Sequence, residues 1–473
     1  MARWLTIAAV IAVFALGAGL RRDWFPEAAV TGVAGDAGVY FLLSAHWQRD
    51  GVYSTDGRAP AWERLPGLPA LWIASGTHPA RCLLPDGALD IPQVRVWLRR
   101  AAIVNVVVDW LCIGATMLLA LALGARRGAL LAGLAWAVQP WSMMVAGRLL
   151  SEPLAILLGT LALAALVHAT RAERPLPLLA IGGVLVALAQ YVRPDSVLCV
   201  PAMVLAALSA TRGEAWRRHV RALVITLGAW ALAFSPWPLR NLVSLGEAHP
   251  LGAGQNIDNF GHAVDHRGVY RWFSAWSSDE ATSLLAYKIP GAPVWTTMLP
   301  PEAFDTPDER RDVTAILHDY LERRNRLDAD LTERFARLAD ARRRRHPVEA
   351  NLVQPLMRIA RIAMPPRDGY GLYTMSAIDS NRAAWTICDG ALTIAGFLGA
   401  IFLLLRRNTR RIALIPLSAI GLRVIMIGWL SIPDARFFLQ ALPVLWICAI
   451  VAVQQLILLR RNKTISGSPT AER

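Results

Sequence analysis

A small set of charged residues lies beside long apolar segments and provides the candidate chemistry of this chain. The set comprises Asp36, Arg64, Glu152, Arg193, Asp195, Arg240, Asp434 and Arg436. Carboxylates can take up protons and guanidinium groups can bind anionic oxygens, so these residue types suit acid–base chemistry on an anionic substrate. Each residue alone has a simpler explanation, because charged side chains are common at membrane interfaces and arginines snorkel there. Their position relative to the apolar segments is what distinguishes the two interpretations.

The composition is that of a membrane protein. Hydrophobic residues make up 55% of the 473 residues, the mean hydropathy is +0.38, and there are 18 tryptophans. A water-soluble chain of this length could not bury so much apolar surface, and a spanning helix needs about 20 apolar residues. Suitable segments occur at about 4–20, 96–123, 128–146, 149–169, 175–191, 195–211, 219–239, 384–405, 411–431 and 435–459. The sequence therefore predicts an all-α polytopic membrane protein with about ten transmembrane helices and a mainly helical outer cap.

The net charge of +14 could suggest nucleic acid binding, but membrane topology explains where the basic residues lie. If the N-terminus is cytoplasmic, every short basic loop falls on the cytoplasmic side, as the positive-inside rule requires. These loops contain Arg126, Arg127, Arg171, Arg174, Arg212, Arg217, Arg218, Arg221, Arg406, Arg407, Arg410, Arg411, Arg460, Arg461 and Lys463. Arg21 and Arg22 lie just outside the first segment, in a long loop for which the rule counts less. We predict a multi-pass protein of the plasma (inner) membrane with both termini cytoplasmic and no nucleic acid partner.

This topology divides the chain into three parts. Residues 1–239 form an N-terminal transmembrane module with a first outer loop at 21–95. Residues 240–383 form an extracytoplasmic, largely helical segment, and residues 384–473 form a C-terminal transmembrane module with a cytoplasmic tail. The first apolar segment also resembles a cleaved signal peptide, which would leave the other loops in place. The eight charged residues from Asp36 to Arg436 named above are then all predicted to lie on the outer side of the membrane.

The 240–383 segment contains two amphipathic patterns. Apolar residues from Val313 to Leu338 recur at helical spacing after Pro307, which suits a first helical turn, and the pattern is broken near residue 325. Farther along, Arg358 and Arg361 interrupt the apolar run NLVQPLMRIARIAMP, as in a segment that lies in the headgroup plane. An anchor to anionic membrane lipid and a binding site for a lipid phosphate are both open interpretations of this run.

Several motifs together resemble those of a known superfamily. Asp36 and Tyr40 precede AHWQRDGVYSTDGRAPAWERLPGLPALW, which looks like the first outer loop of the GT-C glycosyltransferases. The similar branch is the protein O-mannosyltransferase-like one, which includes aminoarabinose and arabinose transferases that use polyprenyl-phosphate sugars. Further matches, in the order of the family, are GRLLSEPLAILLGTLALAAL, QYVRPDSVLCVPAMVL, PWPLRNLVSLGEAHPLGAGQNIDNFG and DARFFLQALPVL. The resemblance covers most of the membrane part and implies a GT-C-like helical bundle.

The resemblance also implies a reaction. Such enzymes transfer a sugar, here a hexose or a pentose, from a polyprenyl-phosphate carrier to an acceptor hydroxyl on the extracytoplasmic side, with inversion at the anomeric carbon. Asp36 matches the acid that serves as general base. Arg64 and then Arg436 are the candidates for binding the lipid phosphate, because a guanidinium can bind its oxygens in pairs.

The other residues of the implied site have less specific roles. Tyr40, Arg193 and Asp195 are expected to line the substrate site, and Arg240 is as readily structural as functional. Glu152 could orient an arginine or acceptor groups, or could equally cap the outer start of its helix, where an acid suits the helix dipole. The expected partners are a polyprenyl-phosphate-linked sugar, an acceptor with a hydroxyl group and membrane lipid. We expect no metal and no cofactor: His262 and His266 in HAVDH are four residues apart, but the glycines nearby argue against a helix.

The chain departs from the family pattern at two positions, and functions other than transfer also fit its sequence. Many relatives carry a second acid directly after the catalytic aspartate, where this chain has Ala37, and Leu68 replaces the usual aromatic residue of the proline-glycine motif. The rival interpretation is a transporter or flippase of a lipid-linked or envelope substrate, and a third is a non-enzymatic membrane scaffold that presents the 240–383 segment. The sequence shows no convincing inverted repeat, and most of the notable charges lie at the outer surface instead of the midplane, which favours the enzyme.

Overall fold

The computed structural model describes residues 2–28, 36–62, 64–248, 251, 256–257, 263–264, 267–278, 299–323, 328–363, 382–429 and 435–466. Within these residues the chain is almost entirely helical, apart from one antiparallel pair of two-residue strands, β1 (Asn256–Ile257) and β2 (Ala263–Val264). The chain forms two compact units. Unit 1 consists of Met1–Leu251, Ala391–Gly421 and Leu439–Arg473, and unit 2 consists of Gly252–Gly390 and Leu422–Phe438.

Helices α1 to α11 belong to unit 1. They are α1 (Ala2–Ala28), α2 (Asp36–Asp50), α3 (Gly67–Ala74), α4 (Ile91–Ala122), α5 (Gly128–Ala137), α6 (Pro140–Gly147), α7 (Glu152–Ala169), α8 (Pro175–Val192), α9 (Val200–Ala210), α10 (Trp216–Phe234) and α11 (Pro236–Leu245). Helices α12 to α15 belong to unit 2, and three long helices follow them along the chain. The seven are α12 (Arg267–Trp276), α13 (Pro307–Glu322), α14 (Ala329–Arg345), α15 (Gln354–Ala363), α16 (Arg382–Leu405), α17 (Arg407–Trp429) and α18 (Leu442–Ser466). A π-helical turn, Glu349–Val353, leads directly into α15.

The all-α polytopic prediction is confirmed, and the protein is a multi-pass membrane protein. In the described part of the chain, eight helical segments are long and apolar enough to span a membrane. All ten predicted apolar segments are helical, but two differ from a simple span. Residues 128–146 form α5 and α6, which are bent by 48° where Pro140 begins the second helix. Residues 194–210 form an apolar helix that is shorter than a span, and its first residues, Pro194–Cys199, form a 3-10 helix.

The prediction that Arg21 lies in a loop outside the first helix is wrong. Helix α1 continues to Ala28, and Arg21 is buried in it. Its Nη2 atom lies 2.6 Å from Oδ2 of Asp109 in α4, and its Nη1 donates to the carbonyl of Ala137 at 3.0 Å. A buried carboxylate needs a countercharge, which explains why a charged residue is tolerated within the apolar helix α4.

Two packed layers of unit 1 position the candidate residues. Helices α4, α7, α8 and α10 pack side by side, and the shorter α2 and α3 pack against the first turns of α4. Phe41 of α2 and Trp72 of α3 both contact Trp97 of α4, with ring centroids 4.6 and 5.2 Å apart. Because α2 and α3 rest on buried aromatic side chains, the loop that joins them is held at one end of the bundle.

Unit 2 contains a separate helical body made of α12, α13 and α14. Its core is formed by Trp272, Phe273, Ile316, Leu317 and Phe335, all buried. The amphipathic pattern predicted between Val313 and Leu338 therefore forms two helices, whose described residues end at Arg323 and resume at Asp328. Each helix has a side-chain N-cap: the side chain of Thr306 accepts a hydrogen bond from the amide of Glu309, and that of Asp328 accepts one from Leu331.

Candidate active site

Asp36 and Arg64 form an ion pair at the end of the unit 1 bundle. Asp36 is the first residue of α2, where a carboxylate is favoured by the helix dipole. Arg64 lies in the loop between α2 and α3, and its Nη2 donates to Oδ1 of Asp36 at 2.6 Å. The two side chains are 30% and 35% exposed, respectively. The predicted base and the predicted phosphate ligand thus touch one another and remain accessible to a substrate.

The loop that carries Arg64 is braced by Arg240. Nη1 of Arg240 donates to the carbonyl of Ala61 at 2.7 Å, and its guanidinium lies 5.7 Å from the centre of the Tyr53 ring. The hydroxyl of Tyr53 in turn donates to the carbonyl of Arg64 at 3.0 Å. These contacts place Arg240 on the supporting side of the loop, which agrees with the structural role considered for it.

Gly67 allows the same loop to approach α8. A Cβ atom on Gly67 would lie 2.7 Å from Cγ2 of Val192 and 2.8 Å from the carbonyl carbon and oxygen of Tyr191. Any side chain at this position would therefore collide with main-chain atoms. The proline-glycine motif RLPGLP is explained by this contact, which brings the Arg64 loop beside the end of α8, where Arg193 follows.

A second ion-paired group lies where α7 begins and α8 ends. Glu152 is the first residue of α7 and is 1% exposed, and its Oε1 accepts a hydrogen bond from Nη1 of Arg193 at 2.5 Å. Arg193 has an extended backbone, as expected for a residue before proline, so α8 ends there. Its Nε lies 3.4 Å from Oδ1 of Asp195. Glu152 is thus a buried partner of Arg193, in addition to any effect it has on the helix dipole.

Tyr40 joins the two charged groups. Its ring is buried, and its hydroxyl and that of Ser151 form a hydrogen bond. Burial raises the pKa of Tyr40 above its ordinary value of 10.0, the charge of Arg64 opposes this shift, and the charge of Asp36 adds to it. Arg193 is also close enough to lower the Tyr40 pKa. The phenol is therefore a neutral hydrogen-bonding group between the Asp36–Arg64 pair and Arg193.

The structure thus brings six of the predicted site residues into one site. They are Asp36, Tyr40, Arg64, Glu152, Arg193 and Asp195. Arg436 belongs to unit 2, in the 3-10 helix Ala435–Ala441, where its guanidinium lies 5.5 Å from the centre of the Phe437 ring. Its role in phosphate binding stays a prediction. Asp434, His262 and His266 lie outside the described residues.

Three further residues, Leu149, Asn105 and Trp72, position this site and were not predicted from the sequence. Leu149 is buried and has a φ of 58°, in the left-handed region that costs a non-glycine residue roughly 1–3 kcal/mol. Asn105 of α4 donates to the carbonyl of Leu150 at 3.0 Å and accepts from the indole of Trp72 at 3.0 Å. Together these contacts fix the turn that presents Ser151 to Tyr40. An asparagine within an apolar helix is a signal that could have been noticed, whereas the backbone of Leu149 leaves no trace in the sequence.

One group of metal-ligating residue types occurs in the described part of the chain, in unit 2. His318, Asp319 and Glu322 lie on the exposed face of α13. Asp319 is already paired with Arg334 of α14. Asp319 therefore links α13 to α14 on the surface of the helical body.

Comparisons with known proteins identify the fold. No family model and no curated protein sequence matches the chain. The structure is similar to that of the oligosaccharyltransferase AglB from Archaeoglobus fulgidus in complex with an inhibitory peptide and a dolichol-phosphate, with a TM-score of 0.51 at 13% identity. A structure of the A. fulgidus oligosaccharyltransferase with zinc and sulfate gives the same TM-score, 0.51, over 96% of this chain.

The chain spans about half the length of AglB: the match covers 100% of this chain and 53% of the other. A weaker likeness, with a TM-score of 0.37 at 15% identity, is found to ArnT from Cupriavidus metallidurans bound to undecaprenyl phosphate, over 96% of this chain and 79% of that one. At these identities the likeness to AglB concerns the fold. It confirms the GT-C-like helical bundle that the sequence motifs predicted.

Proposed function

We propose that this protein is a glycosyltransferase that moves a sugar from a polyprenyl-phosphate carrier to an acceptor hydroxyl at the extracytoplasmic face of the membrane. The observation that carries the proposal is the contact between Asp36 and Arg64, a candidate base and a candidate phosphate ligand, at one end of a membrane bundle. The fold adds support, because AglB is an oligosaccharyltransferase that was crystallised with a dolichol-phosphate. A carboxylate can take the proton of an acceptor hydroxyl and a guanidinium can bind phosphate oxygens, so the pair suits transfer from a lipid phosphate.

The resting ion pair suggests how the donor prepares the site. Before the donor binds, Arg64 occupies one oxygen of Asp36. A phosphate that binds Arg64 bidentately competes for the guanidinium and leaves the carboxylate to the acceptor. The donor thus assembles the base at the moment when it is needed.

The proposed transfer step is a single displacement at the anomeric carbon of the sugar. The carboxylate of Asp36 takes the proton from the acceptor hydroxyl, and the oxygen forms a bond to the anomeric carbon. The bond from that carbon to the phosphate oxygen breaks on the opposite side, which inverts the configuration. Polyprenyl phosphate leaves with the electron pair, and Arg64 stabilises its developing charge.

The second charged group supplies further polar side chains to the site. Arg193 is held between Glu152 and Asp195, and the neutral phenol of Tyr40 lies beside it. Such fixed groups suit the hydroxyls of a sugar or of its acceptor, because each offers a hydrogen bond in a defined direction. The hydrogen bonds that these groups make to the sugar hydroxyls decide whether a hexose or a pentose is accepted.

The test is transfer by Asp36→Asn, compared with the matched variant Asp86→Asn. Asp86 is an exposed aspartate in the same outer loop. Its side chain accepts a hydrogen bond from the amide of Ala88, and an asparagine side chain can accept the same bond. Purified protein receives a labelled polyprenyl-phosphate sugar and an envelope extract as the acceptor pool, and release of polyprenyl phosphate is measured. We expect Asp36→Asn to lose on the order of 10²–10⁴-fold in rate and Asp86→Asn to retain its rate.

The Asp36–Arg64 pair is about one third exposed and contributes only about 0–1 kcal/mol to folding, so Asp36→Asn should remain folded. An Asp36→Asn protein with unchanged thermal stability and near-native release of polyprenyl phosphate would contradict the proposal. If wild-type protein moves the intact sugar lipid across a vesicle membrane and releases no polyprenyl phosphate, the protein is a flippase instead.

A further inference from the structure

Helix α15 and the turn before it expose four large apolar side chains and bury an arginine. Leu352, Val353, Leu356 and Met357 are between 42% and 52% exposed, whereas Arg358 in the same segment is 1% exposed. A helix on a water-exposed surface buries its leucines and leaves its arginines outside. In the segment from Glu349 to Ala363, the two leucines and Arg358 do the opposite, so water is a poor match for the exposed apolar part of its surface.

Arg358 is held inward by the helical body of unit 2. Its Nη2 donates to the carbonyl of Ser274 in α12 at 2.6 Å. The side chain of the same serine accepts from Nη2 of Arg343 in α14, at 2.9 Å. Burial, followed by the charge of Arg343, lowers the pKa of Arg358 to about 10, so the guanidinium remains protonated at neutral pH. The bond to Ser274 fixes the rotation of α15 about its axis and keeps the apolar face outside.

The same segment packs against the end of a membrane-spanning helix. Gly428 lies one residue before the end of α17, and a Cβ atom there would be 2.8 Å from Cδ1 of Ile359 and 3.1 Å from the carbonyl oxygen of Pro355. Trp429, the last residue of α17, is 53% exposed, as expected for a tryptophan at the boundary between lipid and water. The contact at Gly428 therefore places α15 at the level of the lipid headgroups.

We propose that the segment Glu349–Ala363 lies in the plane of the membrane interface, with Leu352, Val353, Leu356 and Met357 inserted among the lipids. Exposed Arg361 on the same helix suits contact with headgroup phosphates. Through Arg358 and Ser274, this interfacial helix fixes the body formed by α12, α13 and α14 to the membrane surface. This contact between α15 and membrane lipid does not depend on the reaction proposed for unit 1.

The test uses a fluorescent nitrobenzoxadiazole label on a single cysteine in full-length protein in liposomes. Among the described cysteines only Cys388 is exposed, so Cys388→Ser provides the background. Leu356→Cys carries the label on the proposed lipid face, and Ala315→Cys carries it on the exposed face of α13. Quenching is measured with a nitroxide lipid in the bilayer and with iodide in the buffer. We expect the label at 356 to be quenched by the lipid and the label at 315 by iodide.

Two outcomes would overturn the proposal. Equal iodide quenching at 356 and 315 would mean that the face is in water, and protection of the label at 356 from both quenchers would mean that protein covers it. Because both substitutions are at exposed positions, folding should be preserved, and thermal unfolding of each labelled protein checks this. The label at 352, introduced by Leu352→Cys, repeats the measurement one helical turn away.

Discussion

At the scale of single residues, the site is built from groups whose partners limit what they can do. Asp36 is bound by Arg64, and Arg193 is bound by Glu152 and Asp195. The first pair is about one third exposed, so solvent screens it and its contribution to folding is small, about 0–1 kcal/mol. The accessible pair is therefore better suited to substrate binding than to stability, whereas buried Glu152 is suited to holding Arg193 in place.

Arg64→Lys separates charge from geometry. Lysine keeps the positive charge but cannot bind two phosphate oxygens through one planar group. Since a hydrogen bond to a charged group contributes about 1.5–3 kcal/mol, we expect transfer to fall on the order of 10–100-fold. Thermal stability should change little. Arg58→Lys is the matched control, because Arg58 is an exposed arginine in the same loop.

The measurement is the rate of polyprenyl phosphate release at saturating and at limiting donor concentration. A site that binds phosphate through Arg64 should lose rate at limiting donor in particular. If Arg64→Lys and Arg58→Lys transfer sugar equally well, Arg64 serves to anchor its loop and another group binds the phosphate.

At the scale of elements, the site depends on close approach between a loop and a helix end. Helix α3 begins at Gly67 against the last residues of α8, and α8 ends at Arg193 because Pro194 follows. The strained turn at Leu149 then sets the start of α7 and presents Ser151 and Glu152. Helix ends thus supply most of the chemistry of this site, and the packing of the helices decides whether these ends meet.

Gly67→Ala should disturb this approach. The added methyl group would meet the carbonyl group of Tyr191, and such overpacking typically destabilises a protein by about 1–3 kcal/mol. We expect a lower melting temperature in detergent and a lower transfer rate, because the Arg64 loop must move. Gly159→Ala is the control: no atom lies within 4 Å of a Cβ at Gly159 in α7, so stability should be unchanged or higher. Equal behaviour of the two variants would show that the contact at Gly67 is not needed.

At the scale of the whole molecule, the distribution of arginines predicts which side of the membrane each segment occupies. The exposed face of α13 should be extracytoplasmic, and the loop before α10 should be cytoplasmic. Positive-inside topology is the reason for both expectations. Orientation matters for the proposed mechanism, because the proposed polyprenyl-phosphate donor in the outer leaflet would have to meet Asp36 on the same side.

Cysteine labelling of intact cells tests this orientation. In the Cys388→Ser background, Ala315→Cys lies on the exposed face of α13, and Ala215→Cys lies in the exposed loop before α10. A membrane-impermeant maleimide should label position 315 in intact cells and position 215 only after lysis. The reverse pattern would refute the topology and place the candidate site on the cytoplasmic side.

The sequence by itself determined the all-α membrane architecture, because about 20 apolar residues in succession have few alternatives to a spanning helix. It also predicted the residues of the candidate site by type, since charges such as Asp36 and Arg193 are conspicuous beside such helices. It could not show that Arg64 binds Asp36 or that Tyr40 connects them to Arg193, because those contacts join residues far apart in sequence. It also placed Arg21 outside its helix, since the compensating charge of Asp109 lies 88 residues away and only tertiary packing brings the two together.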